Sequence, residues 1–267
     1  MKKIAKFVGK ILLGMLGVIL LFLIYFNIPV KKKDNSAKLG ITFSYRYASD
    51  IQLDWKKTFE AILDDLKIRK IRIPVYWDLV EKEEGRYDFS DVDWQLQEAQ
   101  KRNAEIILVV GQKVPRWPEC AIPEWTKNDD QKRKSSLMKE IATVIKRYKD
   151  GHPEIKYWQV ENEPFLKFGI CPPLDVDLLD SEIALVRALD STRPVIVTDS
   201  GELSLWIQAA KRADVFGTTM YRTIWKEGIG YFDYPIGPRF FHFKHWLIKT
   251  FAHQGNAIVV ELQAEPW

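Results

Sequence analysis

The chain opens on an uncharged apolar run, Ile11 to Val30, preceded by Lys2, Lys3, Lys6 and Lys10 and closed by Lys31, Lys32 and Lys33. About twenty such residues at roughly 1.5 Å each span the hydrocarbon core of a bilayer. The pattern therefore predicts a membrane-spanning helix inside an N-terminal segment, residues 1–34. A cleaved signal peptide is the rival reading. Its apolar region usually runs to only about 7–15 residues and ends in a small-x-small site, whereas Tyr25, Phe26 and Asn27 stand at that point here. Lysines flank both ends, and a slight excess before the run favours an inside N-terminus.

From Lys38 the texture changes to alternating strand and helix patterns. Gly40 to Ser44 reads as a first strand, followed by Trp55, Phe59, Ile62, Leu63 and Leu66 at helical spacing. Lys70 to Val75 predicts a second strand, then a helix that Ser90 or Asp91 would cap, carrying Val92, Leu96 and Ala99. Glu105 to Val110 is a third strand, and Leu137, Ile141, Val144, Ile145 and Tyr148 mark one face of a helix. Ile155 to Val160 is a fourth strand. Ile183, Val186 and Leu189 suggest the next helix, Arg193 to Thr198 a fifth strand, and Leu205 to Arg212 a short helix. Val215 to Met220 predicts a sixth strand, Phe240 to Ala252 a helix, and Ala257 to Glu261 a seventh strand.

Such alternation argues for a parallel sheet wrapped by helices, an α/β fold, and the count points to a (β/α)8 TIM barrel over residues 35–267. The sequence runs six residues past Glu261 without an eighth strand-helix unit, so the expectation is a barrel open at one edge or truncated at its C-terminal side. A doubly wound open sheet is the alternative. It lacks support from a glycine-rich phosphate loop after the first strand.

Charge alters the picture little. The formal net charge is +4, but residues 1–34 hold seven lysines against one aspartate, leaving the remainder slightly acidic, with no basic surface suited to nucleic acid. His152, His242, His245 and His253 form no metal-ligand spacing, and neither a metal nor a cofactor is expected. The aromatic share of 13% suits a sugar-stacking surface and equally an ordinary core.

Candidate chemistry gathers at the C-terminal ends of the strands. Asn162 and Glu163 follow the fourth strand, and Pro164 prevents the ladder from continuing. Glu261 stands at the edge of the seventh. Arg72 lies in an apolar strand, where an unpaired charge would be very costly, so a buried carboxylate partner is required. Strand alternation would put Glu161 on the same face as Glu163, one layer lower, where it tunes Glu163 or pairs with Lys113. Glu265 is a further carboxylate, more exposed. Cys120 and Cys171 follow strands three and four, neighbours in a barrel; outside the cytoplasm they would form a disulfide, and otherwise they remain two structural thiols.

Arg72 with Trp77, the run Gly111 to Pro118, Asn162-Glu163-Pro164, Met220-Tyr221 and Val260-Glu261 together resemble the retaining glycoside hydrolases of clan A, with family 5, the cellulase-like hydrolases, as the nearest likeness. The similarity covers about Lys38 to Trp267. It implies Glu163 as general acid/base and Glu261 as nucleophile, about 5 to 5.5 Å apart in such a pair. It also implies Asn162 as the contact of the sugar 2-hydroxyl, and Arg72 and Tyr221 as the groups that hold Glu261. Trp77, Trp117 and Trp225, after strands two, three and six, would touch substrate. Gln112 stands where family 5 members often carry a histidine, a departure that touches the family and leaves the clan. The expected protein is a membrane-anchored, extracytoplasmic glycosidase acting on β-linked glycan, or a secreted one after signal cleavage. A non-catalytic glycan-binding or structural barrel, or a transmembrane scaffold with an inert domain, would have no need for a paired acid and nucleophile.

Overall fold

Seven apolar runs become strands of one parallel sheet in the computed structural model, which describes residues 2–30, 38–226, 228 and 230–262. Lys31 to Lys33, Glu265 and Trp267 lie outside the described residues. In chain order the elements are α1 (Lys2–Asn27), β1 (Ile41–Thr42), α2 (Tyr45–Asp50), α3 (Trp55–Asp64), β2 (Lys70–Pro74), α4 (Trp77–Val80), α5 (Ser90–Lys101) and β3 (Glu105–Val110). They continue with α6 (Asp130–Tyr148), β4 (Ile155–Val160), α7 (Val176–Leu189), β5 (Val195–Asp199), α8 (Ile207–Ala210), β6 (Val215–Met220), β7 (Thr223–Lys226), β8 (Gly230–Asp233), α9 (Pro238–Phe251) and β9 (Ala257–Leu262). The sheet order is β1-β2-β3-β4-β5-β6-β9, parallel throughout. Its two ends approach each other, and the Thr42 hydroxyl donates to the Val260 carbonyl at 3.2 Å. The result is a nearly closed barrel of seven strands among the described residues, with the helices outside it.

Local chemistry explains the helix starts. Asp54, Asp129 and Asp175 each accept the backbone N–H three residues on, capping α3, α6 and α7, which satisfies an otherwise orphaned donor. Ser90 and Asp91 do not cap α5 as expected. Both lie in its first turn, and Asp88 accepts the Ser90 N–H at 3.0 Å. The predicted stripes face inward: Phe59, Ile62 and Leu63 on α3, Val92, Leu96 and Ala99 on α5, and Leu137, Ile141, Val144, Ile145 and Tyr148 on α6 are buried. The first strand is shorter than the expected Gly40 to Ser44, because Ser44 already caps α2 by accepting the Tyr47 N–H. An antiparallel hairpin, β7 with β8, also lies between β6 and α9.

Within α1, Lys6–Asn27 is apolar and long enough to cross a membrane. Its last turn touches α9: Phe26 packs edge-on to Phe240, with ring centroids 5.5 Å apart, and the Asn27 amide donates to the Pro235 carbonyl at 3.0 Å.

Cys120 and Cys171 form a disulfide, Cα atoms 5.3 Å apart, that ties the loop after β3 to the loop after β4. It closes a long loop, with a sequence separation of 51 residues, so its removal in the Cys120→Ala/Cys171→Ala double variant is expected to cost about 2–4 kcal/mol. Denaturant titration of the variant beside the wild type checks this, and matching midpoints would refute it.

Candidate active site

Arg72 is the hub. It sits in β2 with 3% of its surface exposed, and an unpartnered guanidinium could not be kept there. Its three donating nitrogens are all engaged: Nε to Gln159 Oε1 at 2.8 Å, Nη1 to Glu261 Oε1 at 2.6 Å, and Nη2 to Asn162 Oδ1 at 2.7 Å. The rigid fork of arginine thus links β2, β4, the segment after β4, and β9. Glu261 takes a second bond on its other oxygen, from the Tyr221 hydroxyl at 2.7 Å. Burial and the nearby Glu261 and Glu163 carboxylates hold the Tyr221 proton on tightly.

After Val160 the chain leaves the strand. Glu161 and Glu163 both have positive φ, 57° and 44°, a conformation that costs a non-glycine residue about 1–3 kcal/mol. Neighbours enforce it. The Glu161 carboxylate accepts the N–H groups of Gln112 at 2.8 Å and Lys113 at 2.7 Å, and the Asn162 N–H donates to Lys113 O at 2.7 Å. The Glu163 N–H donates to the Thr198 hydroxyl at 2.8 Å, while the buried Lys113 ammonium donates to the carbonyls of Glu163 and Leu166. Gly111 is required opposite: its φ is +114°, and a Cβ there would lie 2.5 Å from Glu161 Oε1.

The turn breaks the expected alternation. Glu161 does not line the mouth one layer below Glu163; its carboxylate turns to the backbone of the loop after β3. Burial raises its proton affinity, to about 7, and the nearby Glu182, also buried, is raised as well by burial and by the charge of Glu161. Glu163 points instead across the sheet to β6, where Oε1 accepts from the Thr219 hydroxyl at 2.9 Å. Thr219 in turn accepts the Gly201 N–H at 3.0 Å. Thr219 is also the register partner of Glu261.

Burial, followed by the negative charge of Glu261, pushes Glu163 up to about 8. A raised carboxyl contributes stability that is full below its unfolded value, 4.5, and is lost as pH rises through about 8. Glu163→Gln is therefore expected to melt above the wild type at about pH 9 and to show no such advantage at about pH 4. Thermal melts at both pH values test this; an offset independent of pH would contradict it.

A third carboxylate meets the group. Glu119, buried, accepts from Asn162 Nδ2 at 3.1 Å. It was not among the residues expected from the sequence, and neither were Thr198 and Thr219. A threonine inside an apolar strand, or an acid beside a cysteine, is too common a signal to single out.

Other expected residues lie elsewhere. Trp77 is fully buried, donates to Glu81 Oε2 at 2.6 Å and packs edge-on to Trp125; it is core, not a substrate contact. The Gln112 side chain accepts from Arg133, drawn away by that buried guanidinium. Trp117 is 62% exposed beside Phe168, ring centroids 6.0 Å apart. Trp225 lies in β7, and its side chain is outside the described residues.

Residues 66–170, less than half of the chain, match the family model described as Glycosyl hydrolase family 10. No curated protein sequence matches the chain. Among solved structures, a β-galactosidase from the psychrophilic Marinomonas ef1 is similar over 85% of this chain and 48% of its own, with a TM-score of 0.62 and 13% identity. GH5_18 from Streptomyces cattleya in complex with GlcNAc follows at 0.51, 13% identity, 70% and 52%. Xylanase 10B from Thermotoga petrophila RKU-1 in complex with xylobiose stands at 0.50, 15% identity, 68% and 59%. The chain thus spans about half the length of these structures. The family 10 match of residues 66–170, together with the barrel shared with GH5_18 and xylanase 10B, supports the resemblance to the clan A glycoside hydrolases.

Proposed function

We propose that the chain is a retaining glycoside hydrolase that cleaves β-linked glycans through a covalent glycosyl-enzyme intermediate. The observation that carries this reading is the contrast between two carboxyls on facing strands. Glu163 is buried and keeps its proton to about pH 8, whereas Glu261 receives hydrogen bonds from the Arg72 guanidinium and the Tyr221 hydroxyl. Environments that differ in this way assign acid and nucleophile roles.

In the first step Glu261 attacks the anomeric carbon as the glycosidic bond breaks, and Glu163 gives its proton to the leaving oxygen. With Oε1 of Glu163 against the Thr219 hydroxyl, Oε2 is the oxygen left to face the leaving group. In the second step Glu163, now ionised, takes a proton from water, whose oxygen attacks the anomeric carbon and releases Glu261 with net retention. Asn162, oriented by Arg72 through Oδ1, keeps Nδ2–H for the sugar 2-hydroxyl, a contact that strengthens as positive charge develops on the ring. Trp117, exposed near the mouth, offers a stacking face.

Two domains follow from this reading: residues 1–34 anchor the protein in a membrane through the apolar helix, and residues 35–267 form the catalytic barrel on the extracytoplasmic side. The disulfide accords with that side. The test is trapping with a 2-deoxy-2-fluoro aryl β-glycoside followed by peptide mass spectrometry. The modification is expected on Glu261 and absent from Glu261→Gln. A folded chain that binds β-glycan yet neither turns over nor labels would instead be a non-catalytic glycan-binding barrel.

A further inference from the structure

We infer that Glu119 is a positioning residue for Asn162, and that the loops after β3 and β4 form a clasp whose purpose is to deliver it there. The inference rests on the proposed reading of Asn162 as the 2-hydroxyl contact.

The Asn162 amide is held at both ends. Oδ1 accepts from Arg72 at 2.7 Å and Nδ2 donates to Glu119 Oε2 at 3.1 Å. An amide nitrogen has two hydrogens. With one committed to Glu119, the plane of the amide is set and the other hydrogen is aimed. Arg72 alone fixes which end is oxygen but leaves rotation about that single bond.

Delivering a carboxylate to this place is costly, which argues against incidental packing. Burial opposes its charge, as does the negative charge of Glu261, while Asn162, Lys113 and Arg72 only partly offset them. The Glu119 backbone is at φ +73°, the left-handed region that non-glycine residues avoid. A neutral residue in a relaxed turn would be less demanding.

The clasp explains how this conformation is held. The Glu119 N–H donates to Arg116 O and the Val114 N–H to Glu119 O, both at 2.8 Å, closing a tight loop. From the other side, the Ile170 N–H donates to Pro118 O at 3.0 Å. The next residue, Cys120, is bonded to Cys171. Between these ties stands Gly169, φ +85°, where a Cβ would lie 2.5 Å from Glu119 Cβ and 2.7 Å from Cγ. Every tie therefore bears on the position of one side chain.

The test compares the full chain with Glu119→Ala, Glu119→Gln and Gly169→Ala on an aryl β-glycoside and on its 2-deoxy counterpart. On the parent glycoside Glu119→Ala is expected to lower kcat by about 10- to 100-fold, the worth of one charged hydrogen bond, with KM changed much less. Gly169→Ala should lower it in the same sense, and Glu119→Gln, which keeps an acceptor, should recover most of the loss. On the 2-deoxy substrate the penalty should collapse, because Asn162 then has nothing to grip. An equal penalty on both substrates would overturn the inference. A second readout is independent of turnover. The side-chain amide resonances of Asn162, identified by their loss in Asn162→Asp, should shift in Glu119→Ala even if no glycoside is hydrolysed. Unchanged resonances would overturn the inference, whereas a shift without turnover would leave it standing and count against the glycosidase reading.

Discussion

Replacing Glu163 with alanine is expected to slow hydrolysis of alkyl β-glycosides by about 10²- to 10⁴-fold, the usual contribution of a positioned general acid. Aryl glycosides with acidic phenol leaving groups should lose far less in the bond-breaking step, since such a group departs without a proton. Their turnover would then stall at the second step, because no base activates water, and the glycosyl-enzyme on Glu261 should accumulate as a rapid burst of phenol. Azide, a small anion that needs no base, should relieve the stall and yield a β-glycosyl azide. In the wild type the same group sets the basic limb of activity: with Glu163 pushed up to about 8 by burial and by Glu261, kcat/KM should fall as pH rises past that value, and this limb should vanish in the variant. Equal losses on both substrate types without azide rescue would rule out Glu163 as the acid.

Arg72→Met should damage both folding and catalysis. The guanidinium is 3% exposed and meets Gln159, Glu261 and Asn162; removing it strands three buried or half-buried acceptors, one of them a carboxylate. Breaking a buried pair from one side costs about 3–5 kcal/mol, a large part of the 5–15 kcal/mol that holds a typical domain together. Melting should fall on the order of 10 °C, and the surviving folded fraction should be nearly inactive because Glu261 and Asn162 have lost their common support. Arg72→Lys keeps the charge without the fork and should fall between the two. A melting temperature within about 2 °C of wild type for Arg72→Met would mean that the hub is not structurally important.

Much of this arrangement was legible from single residues. Glu105 to Val110 and Val215 to Met220 read as strands because unbroken apolar runs bounded by polar turns suit a sheet buried on both faces, and β3 and β6 have those bounds. Arg72 betrayed the site because charge in such a run needs a partner, and Glu261 is that partner. The pair Cys120 and Cys171 became informative once strands three and four were neighbours. Other features were hidden for physical reasons. Alternation assigns a face only while the strand lasts, so it failed at Glu161, where φ turns positive. The β8 residues of the hairpin are largely exposed, so that strand leaves little hydrophobic signature. Trp77 and Gln112 were placed by strand position alone, but a residue after a strand faces the mouth or the shell according to its local turn. α4 turned Trp77 into the core.

The side-chain bond from Thr42 to Val260 bears on how the proposed activity would be lost. Among the described residues β9 has a ladder partner on one side, β6, and on the other only side-chain bonds, from Thr42 to the Val260 carbonyl and from Arg72 to Glu261. Strands so placed belong to the part of a fold that opens at low free energy. Glu261 rides on this margin, whereas Glu163 follows a strand paired on both sides. A brief detachment of β9 would therefore carry Glu261 away from an otherwise intact Glu163, so the proposed activity would be lost on warming before the helices melt. Ligands that bridge Glu261 and Asn162 would act as a stitch across that seam.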